Sequence, residues 1–557
     1  MATMEIIKMN HVTFQYPEME EKVLDDVSLS VMEGQFIVLC GASGSGKTTL
    51  LRLLKQEIAP HGKQQGEILY AGKQIEEWEE IKLATEIGFV FQDPDNQIVM
   101  EEVFQEVIFG MENIGISYLD MRKRLSELAH FFGVEDLLYK KTSTLSGGQK
   151  QLVNLLSVLL LRPKVLLLDE PTSQLDPVAA KELVQILERL NNEMGITIII
   201  VEHRLEDLFA IADQVIMLGN GKIKHRGNSR EVIERVYRQD DKSFIPYLPS
   251  VARMYLTLMD DDRIVNQIPL TVKETRQWIN EQKRKNREEV KAVGESIRSG
   301  KDILKLEKVY FQYEKDLDFV LKNCDLTVRK GEFFALVGGN GSGKSTLLQI
   351  AMGILTQQRG KVFYEDTLLK KYNTMALAAQ FAYLPQHPLA FYVEDTIRKE
   401  MNAIIEKQEV VDGDGKIKEI SEKLQIASLL DRHPNDLSGG ELQRATIACL
   451  LLHTPRVLFV DEPTKGLDPI SKRQLAELLL SLQAEGLTIF MVTHDIEFAV
   501  QYVDYCAILF DGQIAAEGSP DALFKGNYFY TTTINRATAA SKMKEVLTLE
   551  EALLQWE

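Results

Sequence analysis

The sequence predicts an α/β protein made of two tandem domains, each a largely parallel β-sheet covered by helices. Three observations carry this expectation. Apolar, strand-like runs alternate with helical stretches through both halves of the chain, the pattern of strands joined by helical crossovers. A loop of the form G-x-x-x-x-G-K-[ST] follows a short apolar run twice, as GASGSGKTT at residues 41–49 and as GGNGSGKST at residues 338–346. Further motifs then recur in one order: Lys47 pairs with Lys344, Gln92 with Gln386, Ser146 with Ser438, Asp169 with Asp461, and His203 with His494. One spacing across five anchors indicates duplication rather than an array of short repeats. The expected domains are residues 1–230 and 301–526, with a connector at 231–300 and a tail at 527–557. Within the connector a solvated surface helix is expected over residues 271–293, and a short amphipathic helix is expected to end the tail.

Composition narrows the functional classes. The 557 residues are 45% hydrophobic and 26% charged, ordinary for a water-exposed globular chain. No apolar run approaches the ~18 residues that would span a bilayer, and the N-terminal MATMEIIKMN has no basic-then-apolar leader pattern. A chain that stays in the cytosol without direct membrane insertion is therefore expected. A formal net charge of −18 speaks against nucleic-acid binding and against adhesion to anionic lipid, so membrane contact would run through a protein partner. Cys40, Cys324, Cys449 and Cys506 have no metal-type spacing and are expected to be buried thiols.

The motifs imply nucleotide chemistry. Glycines 41, 44 and 46, with Ser43, would let backbone N–H groups close around phosphate oxygens at a helix N-terminus, as would Gly338, Asn340, Gly341 and Gly343. Lys47 and Lys344 would meet the β- and γ-phosphates, Thr48 and Ser345 would ligate Mg²⁺, and Thr49 and Thr346 complete the loops. Apolar strands then end in Asp169-Glu170 and Asp461-Glu462. The first carboxylate of each pair would stand near the metal, and the second could act as general base toward an attacking water.

Two further segments, Leu145-Ser146-Gly147-Gly148-Gln149 and Leu437-Ser438-Gly439-Gly440-Glu441, resemble the signature motif of ATP-binding cassette (ABC) proteins. The resemblance implies two P-loop NTPase folds, each with a helical subdomain, and two ATP molecules sandwiched within one chain. The loop at 41–49 would work against Ser438, Gly439 and Gly440, and the loop at 338–346 against Ser146, Gly147 and Gly148. It also implies that Gln92 and Gln386 sense Mg²⁺ and the γ-phosphate, that His203 and His494 contact that phosphate, and that Tyr16 and Tyr313 stack on adenine. Asp176 and Asp468 match the aspartate of the family's D-loop, and Glu441 departs from the usual signature glutamine.

One stretch points further. Phe91-Gln92-Asp93-Pro94-Asp95-Asn96-Gln97 resembles the Q-loop region of energy-coupling factor (ECF) transporter ATPases, as do Val201-Glu202-His203-Arg204 and the tail at 527–532. That likeness implies docking on a transmembrane scaffold subunit beside a small substrate-binding membrane subunit, at the cytoplasmic face of the membrane, to import a vitamin or a transition-metal ion. Residues 384–389 lack the D-N-Q sequence, which implies unequal docking surfaces. Two alternatives stay open: a soluble tandem-cassette translation factor, whose connector is normally basic, and a tandem sugar-importer ATPase.

Overall fold

The structure is a computed structural model and describes residues 4–17, 20–259, 265–282, 300–408 and 412–556. The chain divides into two compact units, Met1–Thr275 and Arg276–Glu557. The division falls inside the helix Val272–Glu281, within the expected connector.

The first unit is built on two sheets. β1 (Glu5–Gln15), β2 (Leu24–Met32), β4 (Lys63–Tyr70) and β5 (Lys73–Gln74) form an antiparallel sheet in the order β2-β1-β4-β5. β3 (Phe36–Cys40), β6 (Ile87–Val90), β7 (Val165–Asp169), β8 (Thr197–Val201), β9 (Gln214–Gly219) and β10 (Lys222–Gly227) form the second, in the order β10-β9-β3-β8-β7-β6. Its strands run parallel except β10, which returns antiparallel to β9. Every residue of β3, β7 and β8 is buried, which is why these strands read as unbroken apolar runs rather than alternating ones.

The second unit repeats the plan. β11 (Asp302–Phe311), β12 (Leu321–Arg329), β14 (Arg359–Tyr364) and β15 (Thr367–Leu368) pair as β12-β11-β14-β15. β13 (Phe333–Val337), β16 (Phe381–Leu384), β17 (Val457–Asp461), β18 (Thr488–Thr493), β19 (Tyr505–Phe510) and β20 (Gln513–Gly518) order as β16-β17-β18-β13-β19-β20. The largely parallel sheet is as expected. The antiparallel sheet beside it in each unit was not foreseen, because its strands alternate buried and exposed residues and are interrupted by bulges. All four cysteines are buried and free.

The connector corrects one expectation. Thr275, Trp278 and Ile279 are buried, so the described part of the helix expected at 271–293 is packed rather than solvated. Residues 283–299 of that expectation lie outside the described residues. Helix Ser250–Leu258, also in the connector, buries Val251, Ala252, Met254, Tyr255 and Leu256 and belongs to the first unit. In the second unit the tail ends in the expected helix, Leu549–Trp556, whose Trp556 stacks on Trp278 with ring centroids 5.0 Å apart.

Candidate functional site

In each unit the phosphate-type loop joins a fully buried strand to a helix: β3 to Lys47–Leu53, and β13 to Lys344–Ala351. Gly46 and Gly343 cap those helices at φ +99° and +100°, a left-handed conformation that favours glycine. A Cβ on Gly41 would lie 2.0 Å from the Leu218 carbonyl oxygen, so the loop can run against β9 only with glycine there. The loop tips at Gly44, Asn340 and Gly341 are exposed, and Ser43 is half-buried.

In the first unit Lys47 is buried, and its ammonium donates to the carbonyls of Gly41 and Ala42, both at 2.9 Å. The Thr48 hydroxyl donates to Asp169 Oδ1 at 3.0 Å. Glu170 is held between two partners: Gln92 Nε2 donates to its Oε2 at 2.8 Å, and His203 Nε2 lies 2.8 Å from its Oε1. The second unit brings together Ser345 and Asp461 (3.1 Å), His494 Nδ1 and Glu462 (2.7 Å), and Lys344 and Glu462 (3.4 Å). Gln386 stands at the corresponding place but makes no side-chain hydrogen bond among the described residues. Both Glu170 and Glu462 sit at positive φ, 46° and 50°, a strained conformation that side-chain-bearing residues adopt at a local cost.

Electrostatics shifts both strand aspartates and, in the second unit, the glutamate beside one of them. Burial, with the neighbouring Glu170 charge, pushes Asp169 up to about 6 against the opposing Thr48 hydrogen bond. Burial likewise raises Asp461. Glu462 is buried too, yet the His494 hydrogen bond and the charges of His494 and Lys344 outweigh burial and hold it below the usual carboxylate range. A carboxylate kept ionised beside an imidazole can accept a proton from a water.

The tyrosines lie beside the loops. Tyr16 and Tyr313 hydroxyls are within 3.2 and 3.0 Å of Thr49 and Thr346 Oγ1, and each ring packs edge-on against a strand phenylalanine, Phe14 or Phe311.

Ser146 and Ser438 cap the helices Gly147–Leu159 and Gly439–Leu451 through full capping boxes, so the first turns that carry Gly147, Gly148, Gly439 and Gly440 present backbone N–H groups. The two boxes differ. Gln149 Oε1 accepts only the Ser146 backbone N–H, at 3.0 Å. Glu441 Oε2 accepts both the Ser438 backbone N–H and its hydroxyl, at 2.9 and 2.7 Å, which commits that hydroxyl proton to a carboxylate. Asp176 and Asp468 cap the helices Pro177–Met194 and Pro469–Ala484.

Several residues in and around the site were not singled out by sequence. Ser45 is buried in the first loop, with a hydroxyl that has no hydrogen-bond partner among the described residues; Ser342 Oγ is its counterpart. An orphaned hydroxyl inside a ring of backbone amides suits a phosphate oxygen. Its signal was the S-G-K-[ST] run itself. Gln151 and Gln443 also reach loops of the site, and only their position beside named motifs could have flagged them. Glu202 and Arg204 reach the loop after Glu170, and the sequence named them only as part of the stretch Val201-Glu202-His203-Arg204, without a role.

Residues 24–173 and 321–465 match the ABC transporter family, and the chain belongs to it. The chain is 44% identical over 536 residues to a "Putative ABC transporter ATP-binding protein" of Bacillus cereus, covering 95% of this chain and 94% of that relative. It is 30% identical to the "Putative HMP/thiamine import ATP-binding protein YkoD" of Bacillus subtilis, covering 93% and 92%. A solved structure of cbiO1 from Clostridium perfringens, part of the ABC transporter complex cbiONQ, aligns with 33% identity and a TM-score of 0.38, covering 43% of this chain and 96% of that one. The protein is thus an ATP-binding, ATP-hydrolysing component of an ABC transporter with two cassettes. Among the described residues no helix is long and apolar enough to cross a membrane.

Proposed function

We propose that the chain is the ATPase subunit of an importer of the ECF type, held at the cytoplasmic face of a membrane by a transmembrane scaffold subunit that works with a small substrate-binding membrane subunit. The observation that carries this reading is the segment after Gln92. Asp95 and Asn96 are exposed on a turn, Pro94–Asn96, which is pinned from beneath by buried Asn154, whose Nδ2 donates to the Pro94 carbonyl at 3.0 Å. A rigid acidic turn joined to the glutamine that bonds Glu170 suits a basic partner segment. The likeness to the Bacillus subtilis relative supports import of a thiamine-like vitamin or its pyrimidine precursor within this class.

In this reading ATP binds at residues 41–49 of the first unit and at residues 338–346 of the second. Mg²⁺ would be held by Thr48 and Asp169, with Gln92, and by Ser345 and Asp461, with Gln386; these oxygen donors suit a small hard cation, and the ion would neutralise phosphate charge. Lys47 and Lys344 turn from carbonyls and Glu462 toward the phosphates. Gln92 and His203 loosen from Glu170 as the attacking water takes a place on its carboxylate. Glu170 then accepts that water's proton while His203 steadies the γ-phosphate; Glu462 and His494 act alike. Nucleotide-dependent contacts bias the chain toward a closed state that hydrolysis releases.

Two measurements test the reading. The Glu170→Gln, Glu462→Gln double variant should bind ATP yet hydrolyse it at least ~100-fold more slowly; undiminished turnover would remove both residues from the chemistry. Full-length chain extracted from membranes in mild detergent should bring two integral membrane proteins with it. Recovery with ribosomes instead would favour the translation-factor class.

A further inference from the structure

The loop that follows each strand carboxylate, residues 170–176 in the first unit and 462–468 in the second, is gripped from different elements. In the first unit both neighbours of His203 hold it. Glu202 is 1% exposed; its Oε1 accepts from the Thr172 backbone N–H at 2.7 Å, and its Oε2 accepts from the His203 N–H at 3.1 Å. Arg204 Nη1 donates to the Leu175 carbonyl at 2.9 Å. One carboxylate thus bridges two amides, one on the loop and one on the residue that bonds Glu170.

The corresponding residues of the second unit are Thr493 and Asp495, and their chemistry is different. Thr493 Oγ1 accepts from the Asp495 N–H at 2.9 Å, and Asp495 pairs with Lys472 at 2.6 Å. Here a grip comes from the signature helix Gly439–Leu451, where buried Gln443 donates its Nε2 to the Pro463 carbonyl at 2.6 Å. The first unit's counterpart, Gln151, donates instead to the Phe91 carbonyl at 3.4 Å, beside Gln92.

We propose that Glu202 is a positioning residue peculiar to the first unit, which sets the loop at 170–176 and His203 as one piece, whereas in the second unit Gln443 sets the matching loop from the signature helix. The two hydrolytic sites are therefore inequivalent in their wiring. The inference rests on the reading that Glu170 with His203, and Glu462 with His494, serve hydrolysis. Its physical basis is donor count: a carboxylate accepts at both oxygens, whereas glutamine must turn a donor NH₂ toward one of the two amides, leaving a buried N–H unpaired.

The test is steady-state ATP turnover of the full-length chain, with one unit silenced at a time. With Glu462→Gln present, so that the first unit carries turnover, Glu202→Gln should lower kcat about tenfold, the loss expected for one hydrogen bond to a buried charge, and leave KM for ATP within about twofold. Glu202→Thr with Arg204→Asp, which installs the second unit's pair, should give the same drop and guards against failure of the first variant to fold. With Glu170→Gln present instead, both substitutions at 202 should leave turnover unchanged, and Gln443→Leu should lower kcat. An unchanged kcat in the first background, or a loss matched by a rise in KM, overturns the proposal; so does an equal loss in both backgrounds. If the Glu170→Gln, Glu462→Gln double variant keeps full turnover, the underlying site assignment fails and the proposal falls with it. If that control is inactive and Glu202→Gln is silent, only the positioning role is lost.

Discussion

Glu206 lies on the turn after β8, three residues beyond His203, where its Oε1 accepts from the Ser250 N–H at 2.8 Å. Its Oε2 is shielded from solvent and has no hydrogen-bond partner among the described residues. Burial pushes this carboxyl above its ordinary range and outweighs the Ser250 hydrogen bonds and the Arg253 charge that oppose it. The folded state therefore binds the proton more tightly than the unfolded chain, so stability falls as pH rises from the ordinary carboxylate value through the raised one. Glu206→Gln keeps the acceptor and removes the titration. We expect its melting temperature to exceed wild type by about 2–4 °C at pH 8 and to converge with it only below the ordinary carboxylate value, at about pH 4; a wild-type pH slope in the variant would show that another group titrates. Glu462 has the opposite sign. Its folded pKa is depressed, so its contribution is present above the ordinary carboxylate value and is lost as pH falls through the depressed one.

At the scale of the element, the segment after Gln92 separates into an inward and an outward set. Gln97 faces in: its Oε1 accepts from the Phe91 N–H and its Nε2 donates to the Phe89 carbonyl, both at 3.2 Å. Glu106 accepts from the Val99 and Met100 N–H groups at 2.8 and 2.7 Å. Asp95 and Asn96 face out, and the Asp95–Lys150 pair at 2.5 Å is too exposed to be worth more than about 1 kcal/mol. Asp95→Ala with Asn96→Ala should therefore leave ATP turnover and melting near wild type while lowering uptake by the assembled transporter about tenfold, as loss of a docking hot spot would. Gln97→Ala should lower ATP turnover as well, because it frees the strand end that carries Gln92. Uptake at the wild-type rate in the outward double variant would sink the docking role. The second unit keeps the scaffold and changes the surface: Glu400 accepts from the Val393 and Glu394 N–H groups, both at 2.9 Å, and the exposed side chains there include Leu389 and Val393.

Over the whole molecule, what was legible in the sequence was whatever local chemistry dictates. The buried strands β3, β7 and β8 announce themselves as apolar runs, the loops announce themselves by glycines whose backbone only glycine can adopt, and Asp169-Glu170 stands where a strand ends. What was not legible depends on contacts distant in sequence. Glu202 belongs to a stretch the sequence does mark, beside His203, but its role stays unreadable until Thr172 is folded against it, and the antiparallel sheets depend on pairing between strands that alternate. The connector was misread for the same reason, since the charged run after residue 281 dominates its composition while Trp278 is buried against the far end of the chain. That burial gives a final expectation. Trp278 stacks on Trp556, Arg276 Nη2 donates to the Arg536 carbonyl at 2.6 Å, and the Lys542 N–H donates to Asn280 Oδ1 at 2.9 Å, so the tail closes on the connector helix inside the second unit. Trp556→Ala should cost that unit about 2–3 kcal/mol, less than a fully buried tryptophan because Trp556 is half-buried. Each unit has its own hydrophobic core, so the loss should appear as an earlier unfolding step confined to the second unit. Hydrogen exchange reads this directly: amides of β16 to β20 should lose protection in the variant while those of β6 to β9 keep theirs. Equal loss in both units would show that the tail stabilises the chain as a whole rather than the unit it closes.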